Sequence, residues 1–353
     1  MIKIGFYAHT IDYAGTWRSH ERILLNLNKN EFDVYVLYCD VYDNNRIDIV
    51  RDAIGKDKFL RVDRSVEDLG PQHGYEPLHN NIEEVCNRER FDILHQARSG
   101  HYEWPLTRRL CPIQIETNIF GSVDTSQFLD YSVPICNYIA DKRGTSSQVL
   151  YNPIPSPRDT SSNLRSELGL GDDVFVLGRI GRPGGYDDPN GGGLHILEAF
   201  SKLISKVDCK YIVIAPCEGI KKHAKELGIE KYMIYFEPTN DDIFIEKFHN
   251  TIDVFAHYRD MGECHSTAIS QAMVYGKPVI SHYSNTDNGQ VETISDGGWV
   301  VSNEEEYYDR LYSLASDEEL YKTTSKNALK QSKKFIIETI VPQWENIYRK
   351  LMK

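Results

Sequence analysis

The strongest constraint on the fold is a proline-rich segment in the middle of the chain, which separates two series of short apolar and longer amphipathic stretches. Tyr151-Asn-Pro-Ile-Pro-Ser-Pro157 holds three prolines within five residues, which prevents regular strand pairing and favours a stiff connector. Apolar runs alternate with amphipathic ones on both sides of it, as in parallel, doubly wound sheets. A chain of 353 residues is long enough for two such domains.

The pattern predicts domains at 1–155 and 156–334, with a C-terminal helix over Phe335–Met352. Strands are predicted at Ile2–Ala8, Phe32–Cys39, Ile93–His95, Ile113–Glu116, Val133–Cys136, Val174–Ile180, Tyr211–Ala215, Met233–Phe236, Ile252–Ala256 and Pro278–Ser281. Helices are predicted at Trp17–Asn28, Asn81–Arg88 and Leu194–Ser205. Ligands of such sheets bind beyond the carboxyl ends of the strands.

Charge and cysteine usage exclude several classes of protein. The net charge is −12, and the sequence is acidic on both sides of residue 156, which disfavours nucleic acid and anionic lipid as partners. No apolar run reaches the ~18 residues of a membrane span, and the N-terminus does not resemble a signal peptide. The 7 cysteines are scattered, so we expect free thiols in a cytoplasmic protein.

The most informative stretch runs from Met261 to Ile280. It reads as a short loop, a helix that begins near His265, Ser266 and Thr267, and a Gly-Lys-Pro-Val-Ile run that starts the next strand. The first turn of a helix offers unpaired N–H groups and the positive end of the dipole, so it can bind phosphate without a basic side chain.

This stretch resembles the donor-binding signature of the retaining family-4 glycosyltransferases. That signature has two Glu residues eight positions apart, then Ala-Met and Gly-x-Pro-Val; here Glu263 precedes Gln271 by eight, and Ala272-Met273 and Gly276-Lys-Pro-Val follow. The resemblance implies that Glu263 reaches the donor sugar and that His265, Ser266 and Thr267 cradle the diphosphate. Gln271 replaces the carboxylate that grips the ribose diol, so charge assistance is lost there.

A second resemblance lies at the end of the first strand of the second half. Arg179 matches the Arg of the family's Gly-Arg loop, which binds the diphosphate together with a Lys a few residues later. No Lys follows here, so Arg182 is the candidate replacement; an Arg can clamp two phosphate oxygens. The glycines at 191–193 allow close approach of the backbone. The alternative is a surface turn with Arg179 in a salt bridge.

Further candidates come from other strand ends. Phe236 precedes the turn that lies beside the nucleotide base in the family, where Asn240 or Asp241 also suits a helix N-cap. In the first half, Gly15 and Thr16 stand in the loop after strand one, and Asn118 stands where relatives often place a polar residue facing the sugar. Weaker acceptor-side candidates are Arg98, His101 and Glu116, whereas His9 suits a capping or buried histidine.

The resemblance implies an α/β protein of the GT-B fold, with two Rossmann-like doubly wound domains facing a central cleft, and a C-terminal helix, 335–353, that packs back on the first. It implies transfer of a sugar from a GDP- or UDP-sugar to a glycan, lipid-linked or small-molecule acceptor hydroxyl, with retention. No cofactor or metal is expected, because Arg side chains and a helix dipole offset the leaving-group charge and no Asp-x-Asp motif occurs.

Three other functions can be weighed against the sequence. One is a GT-B enzyme of another chemistry, such as an epimerase or a phosphorylase, but no lysine placed for a pyridoxal cofactor can be recognised. A non-catalytic nucleotide- or sugar-binding protein on the same fold would tolerate Gln271 and the missing loop Lys. A nicotinamide-dependent oxidoreductase should carry Gly-x-Gly-x-x-Gly after a strand, and the loop at Gly178 has the wrong spacing for it.

Overall fold

The structure, a computed structural model, describes residues 1–11, 15–41, 44–62, 65–68, 75–78, 81–98, 109–121, 127–144, 147–181 and 194–353. The chain divides into two compact units. The N-terminal unit comprises Met1–Ile154 and Ile337–Lys353, and the C-terminal unit comprises Pro155–Ile336.

The N-terminal unit is a parallel sheet with helices. Its elements up to Ile154 are β1 (Ile2–Ile11), α1 (Gly15–Asn26), β2 (Phe32–Val41), α2 (Asn44–Ile54), β3 (Phe59–Arg61), β4 (Ser65–Asp68), β5 (Tyr75–Leu78), α3 (Ile82–Glu89), β6 (Ile93–Arg98), β7 (Ile113–Asn118), β8 (Tyr131–Pro134) and α4 (Asn137–Arg143). Within the described residues, six strands form a sheet in the order β3-β2-β1-β6-β7-β8, and β4 and β5 form a separate antiparallel pair.

The C-terminal unit repeats this layout. Its elements are β9 (Phe175–Ile180), α5 (Leu194–Leu203), β10 (Cys209–Ile214), α6 (Glu218–Glu226), β11 (Met233–Phe236), α7 (Asp242–Thr251), β12 (Val254–Ala256), β13 (Gly262–Glu263), α8 (Thr267–Val274), β14 (Val279–His282), β15 (Asp287–Asn288), α9 (Gly289–Ile294), β16 (Gly298–Val301), α10 (Glu304–Ser316) and α11 (Glu318–Ser332). In the described part of this unit, six strands form a parallel sheet in the order β11-β10-β9-β12-β14-β16.

The last helix, α12 (Ile337–Leu351), belongs to the N-terminal unit. It packs on α1, and Trp344, Ile347 and Tyr348 are buried in the core that also holds Ile4, Phe6 and Ile93. The Tyr348 hydroxyl lies 2.8 Å from Nδ1 of His95, and Nε2 of His95 lies 2.8 Å from the Thr117 hydroxyl. A buried polar chain therefore ties α12 to the centre of the first sheet.

Element boundaries differ from the sequence prediction where polar residues continue an element. β6 and β7 extend through Arg98 and Asn118, beyond the apolar runs that predicted them, because parallel pairing continues there. The strand predicted at Val133–Cys136 runs instead over Tyr131–Pro134. Gly15 and Thr16, predicted in a loop, are the first residues of α1, since N–H groups of a first turn need no intrahelical partner. No described helix is long and apolar enough to cross a membrane.

The buried histidines of the N-terminal unit predict acid sensitivity. Burial lowers the pKa of His20 to about 3 and the pKa of His95 well below its ordinary value. Since these pKa values are lower in the folded state, the unfolded state binds protons first as pH falls through about 6.5. Stability is therefore fully present above about pH 6.5 and decreases toward pH 3.

We expect His20→Gln, whose amide can still bond Thr117, to weaken this dependence. Between pH 7 and pH 5, each buried neutral histidine costs about 2 kcal/mol of unfolding free energy, so the variant should lose about 2 kcal/mol less than wild type. Urea unfolding at the two pH values measures the difference. Equal losses in the two proteins would contradict the prediction.

Candidate functional site

The order of the second sheet locates a ligand-binding edge. From β9 the chain proceeds outward to β10 and β11 on one side, and to β12, β14 and β16 on the other. Strand order therefore reverses between β9 and β12, and open α/β sheets bind ligands beyond the carboxyl ends of strands at such a point. Arg179 lies near the end of β9, and His257 directly follows β12.

Arg179 is buried, with 4% of its surface exposed, and its guanidinium donates to the carbonyl of Tyr258 at 3.4 Å. Gly181 follows β9 and packs so tightly on the end of β10 that a Cβ would lie 2.4 Å from the carbonyl oxygen of Ala215. The strand-end backbone is thus fixed in place, and Arg179 is anchored to the segment after β12.

Glu263 lies at the centre of a small polar cluster. Its Oε2 accepts a hydrogen bond from Arg259 Nη1 at 3.0 Å, and its Oε1 lies 3.4 Å from Nε2 of His257. His257 is held by Ser281, whose hydroxyl lies 2.8 Å from Nδ1. The carboxylate is therefore oriented from two sides, and residues 257–259 connect it to Arg179 through the Tyr258 carbonyl.

The backbone of Glu263 is positioned by two glycines. β13 pairs with β15 so closely that a Cβ on Gly262 would lie 1.6 Å from the carbonyl oxygen of Asp287. A Cβ on Gly289 would lie 1.7 Å from the carbonyl oxygen of Cys264. Gly262 also has a φ of +66°, which favours glycine. Only glycine at both positions permits this approach of the two segments.

Gln290 joins Glu263 to the neighbouring strand. It is buried, its Oε1 accepts from the backbone N–H of Glu263 at 3.2 Å, and its Nε2 donates to the carbonyl of His282 at 2.9 Å. No role was predicted from the sequence for this segment, nor for His257, Arg259 or Ser281. His257 and Arg259 are polar residues directly after an apolar strand and close in sequence to Glu263, and this pattern could have identified them.

Helix α8 begins at Thr267, with Ser266 as N-cap. The Ser266 hydroxyl accepts a hydrogen bond from the N–H of Ile269 at 3.5 Å and so caps the helix. The same residue lies at the predicted phosphate site. The first-turn N–H groups of Thr267 and Ala268 have no intrahelical acceptor and point out of the helix start. Gln271 lies one turn beyond Thr267, and both are partly exposed on the same face.

His265 contributes no positive charge to this helix start. It is buried against the ring of Phe335, and burial lowers the pKa of His265 to about 4 despite the attraction of Glu292 and Glu263. Its Nε2 lies 3.2 Å from the Ser270 hydroxyl. The neutral His265 side chain therefore packs in the protein and holds the start of the helix in place. Only the backbone of His265 is available for the predicted phosphate contact.

Phe236 ends β11, is partly exposed and packs edge-on against Phe244, with ring centroids 5.0 Å apart. The predicted cap after this strand is confirmed for Asp241, whose carboxylate accepts from the N–H groups of Ile243 and Phe244. Phe236 thus has a fixed ring at the ligand edge of the sheet.

The candidates in the N-terminal unit are less accessible. Asn118 is fully buried at the end of β7, donates to Glu116 at 3.1 Å and accepts from the N–H of Gly121 at 2.8 Å. Glu116 is also buried, and it accepts from Ser132 and pairs with Arg143. These contacts stabilise the turn after β7, so Asn118 has a structural role that was not predicted from the sequence.

Several predicted residues cannot be placed. Arg182, the glycines at 191–193 and His101 lie outside the described residues. His9 and Arg98 lie on β1 and β6, and their side chains are outside the described part of the chain.

Comparison with known proteins agrees with this architecture. Residues 189–331, which contain Glu263, α8 and Gln290, match the family model "Glycosyl transferases group 1". No curated protein matches the chain in a sequence search.

Solved structures extend the likeness to the whole chain. A glycosyltransferase from Rickettsia africae superposes with a TM-score of 0.75 at 14% identity, covering 100% of this chain and 99% of its own. Anabaena Alr3699/HepE in complex with UDP-glucose gives 0.71 at 16% identity, with 99% and 100% covered. Sucrose-phosphate synthase from Thermosynechococcus elongatus gives 0.70 at 13% identity, with 100% and 99% covered. The fold is that of the GT-B glycosyltransferases, and the C-terminal unit carries the match to their group 1 family.

The glycine at 262 generates a testable prediction. Gly262→Ala places a methyl group against the Asp287 carbonyl, whereas Gly228→Ala, at a similar φ of +67°, meets nothing within 4 Å. We expect Gly228→Ala to cost about 1 kcal/mol for the backbone alone, and Gly262→Ala to cost at least about 2 kcal/mol more. Denaturant unfolding measures both, and equal losses would show that the approach of β13 to β15 is not tight.

Proposed function

We propose that this chain is a retaining glycosyltransferase that transfers a sugar from a nucleotide diphosphate sugar to an acceptor hydroxyl, with no metal ion in the transfer step. The proposal is supported by the family match over 189–331 and by the polar groups that gather at the strand-order reversal of the second sheet. In it, the C-terminal unit binds the donor and the N-terminal unit the acceptor.

The observation that carries the proposal is the setting of Glu263. Its carboxylate is held by Arg259 and His257 at 3.0 and 3.4 Å, while three residues later the chain enters the N-cap of α8. A fixed carboxylate beside a helix start supplies acceptors for sugar hydroxyls next to donors for a diphosphate. One nucleotide sugar can satisfy both.

The chemistry follows from the charge that develops on the leaving group. When the bond between the anomeric carbon and the diphosphate oxygen breaks, the diphosphate gains negative charge. The N–H groups of Thr267 and Ala268, the dipole of α8 and the Arg179 guanidinium offset that charge, with Arg182 as a further candidate. The acceptor hydroxyl attacks from the same face and passes its proton to the departing phosphate oxygen, which gives retention and needs no pair of catalytic carboxylates.

The remaining predicted residues are assigned to other parts of the donor. Phe236 contacts the base, Gln271 contacts the ribose diol, and Gly15 and Thr16 at the start of α1 are further candidates for binding phosphate. We propose a UDP-sugar as the first donor to test, because Anabaena Alr3699/HepE was solved with UDP-glucose, and a GDP-sugar as the alternative. The acceptor is a glycan, a lipid-linked sugar or a small molecule, and the protein acts in the cytoplasm in glycan biosynthesis.

Glu263→Gln tests the role of the carboxylate without changing its volume. We expect release of UDP from the preferred UDP-sugar, with water as acceptor, to fall by at least about 100-fold, because the amide cannot hold the sugar as the carboxylate does. Binding of UDP alone should be unchanged. The matched control is Glu319→Gln on the exposed face of α11.

Two outcomes would contradict this assignment. Near-wild-type release by Glu263→Gln would remove Glu263 from the transfer step. Tight binding of a UDP- or GDP-sugar without release by the wild-type protein, even with a range of acceptors, would favour a non-catalytic binding protein.

Gln271→Glu tests the ribose contact by a gain of affinity. A carboxylate forms a charge-assisted hydrogen bond with the diol, so we expect UDP to bind several-fold, up to about 10-fold, more tightly in calorimetry. The 2′,3′-dideoxy analogue of UDP is the control, since it lacks the diol and should show no gain. Weaker binding of UDP, or an equal gain with the analogue, would place the ribose elsewhere.

A further inference from the structure

Four metal-ligating side chains meet on the surface of the C-terminal unit, on three different helices. His195 and Glu198 lie one turn apart on α5, His223 lies on α6, and Glu304 is the first residue of α10. Ligand atoms of His195, Glu198 and Glu304 all lie within 4.8 Å of one another. Among the described residues, this is where such side chains converge in a group of three or more.

The distances around Glu198 match those between ligands of one ion. Nδ1 of His195 lies 3.7 Å from Glu198 Oε2, and Nε2 of His223 lies 3.6 Å from Glu198 Oε1. Both are longer than hydrogen bonds. Two ligands bound tetrahedrally at 2.0–2.1 Å lie about 3.4 Å apart, close to each of these separations. His223 approaches the other oxygen of Glu198 from outside the group of three, so its side chain must turn toward the ion.

His223 has the tautomer and the orientation of a metal ligand. Its Nδ1 lies 3.2 Å from Glu226 Oε2, and an ionised carboxylate only accepts, so Nδ1 carries the proton. In the neutral ring the lone pair is then on Nε2, which is buried, has no hydrogen-bond partner among the described residues and faces Glu198. A carboxylate bound to the far nitrogen of a ligating histidine is the usual outer partner at zinc sites.

The charges also favour a divalent cation. The carboxylates of Glu198 and Glu304 lie side by side, with their ligand atoms within 4.8 Å of each other. The ammonium of Lys202 lies 2.6 Å from Glu304 Oε1 and 3.1 Å from Glu305 Oε2. It can therefore keep an ion pair with Glu305 when Glu304 binds a cation. With Lys202 on Glu305, the carboxylates of Glu198 and Glu304 supply two negative charges for one divalent ion.

We propose that His195, Glu198, His223 and Glu304 form a binding site for Zn²⁺. Two imidazole nitrogens and two carboxylate oxygens suit a borderline-soft ion better than Mg²⁺ or Ca²⁺, which prefer oxygen alone. The ion links the start of α5, the middle of α6 and the start of α10. It is a structural ion, separate from the transfer step proposed above.

The test uses metal-stripped, full-length protein titrated with Zn²⁺ in a calorimeter, and with Co²⁺ as a spectroscopic probe of tetrahedral coordination. We expect about one Zn²⁺ per chain, and at least about a 10-fold weaker Kd in His195→Ala and in Glu198→Gln, both of which change partly exposed side chains. Glu226→Gln, which changes the outer partner of His223 and none of the four proposed ligands, should weaken Zn²⁺ binding by about 10-fold.

Two control variants separate this site from other zinc-binding groups. Glu218→Gln removes an exposed carboxylate from the same helix α6, and Cys217→Ser removes the partly exposed thiol that precedes it. Both should bind Zn²⁺ like wild type and show the tetrahedral Co²⁺ spectrum. The proposal is overturned if wild type does not bind Zn²⁺, if His195→Ala and Glu198→Gln bind it unchanged, or if Cys217→Ser abolishes binding.

Discussion

The close approach of two backbone segments, β13 and β15, is the constraint on which the candidate site depends. Glu263 has no long element to hold it, since β13 is only two residues long. Its place is set by main-chain contact with Asp287–Asn288 and by the bond from its N–H to Gln290. Because glycine is required at 262 and 289, the backbone packs without a side chain between the segments. A carboxylate on such a support needs little further ordering when a ligand arrives.

The electrostatics of Glu263 depend on the residues that follow β12. Arg259 gives the carboxylate a charge-assisted hydrogen bond, while His257 spans from Ser281 to Glu263. Both directly follow β12, the strand next to β9, and the same short segment provides the Tyr258 carbonyl that accepts from Arg179. The donor-sugar and diphosphate ends of the proposed site are therefore coupled through three consecutive residues. Movement of this segment would displace Glu263 and Arg179 together.

The fold could be predicted from the sequence because apolar periodicity reports buried strands directly. The strand Met233–Phe236 was predicted with the bounds it has in the structure. The predicted strands for β6 and β7 were too short, because polar residues such as Asn118 end an apolar run without ending the backbone hydrogen bonding. The motif around Glu263 and α8 was equally visible. The partners of Glu263 were not, because Gln290 and His257 reach it only through tertiary packing. Burial of Asn118 was hidden for the same reason.

The proposed zinc ligand His195 also contacts the segment that follows β12. His195 is the second residue of α5, directly after residues 182–193, and its ring lies 5.7 Å from that of Tyr258. Tyr258 stacks on His282 at 3.6 Å, and its carbonyl accepts from Arg179. An ion that fixes His195 would therefore restrict the packing of Tyr258, whose carbonyl accepts from Arg179. It would reduce the conformational freedom of the segment after β12 without any contact with the substrate.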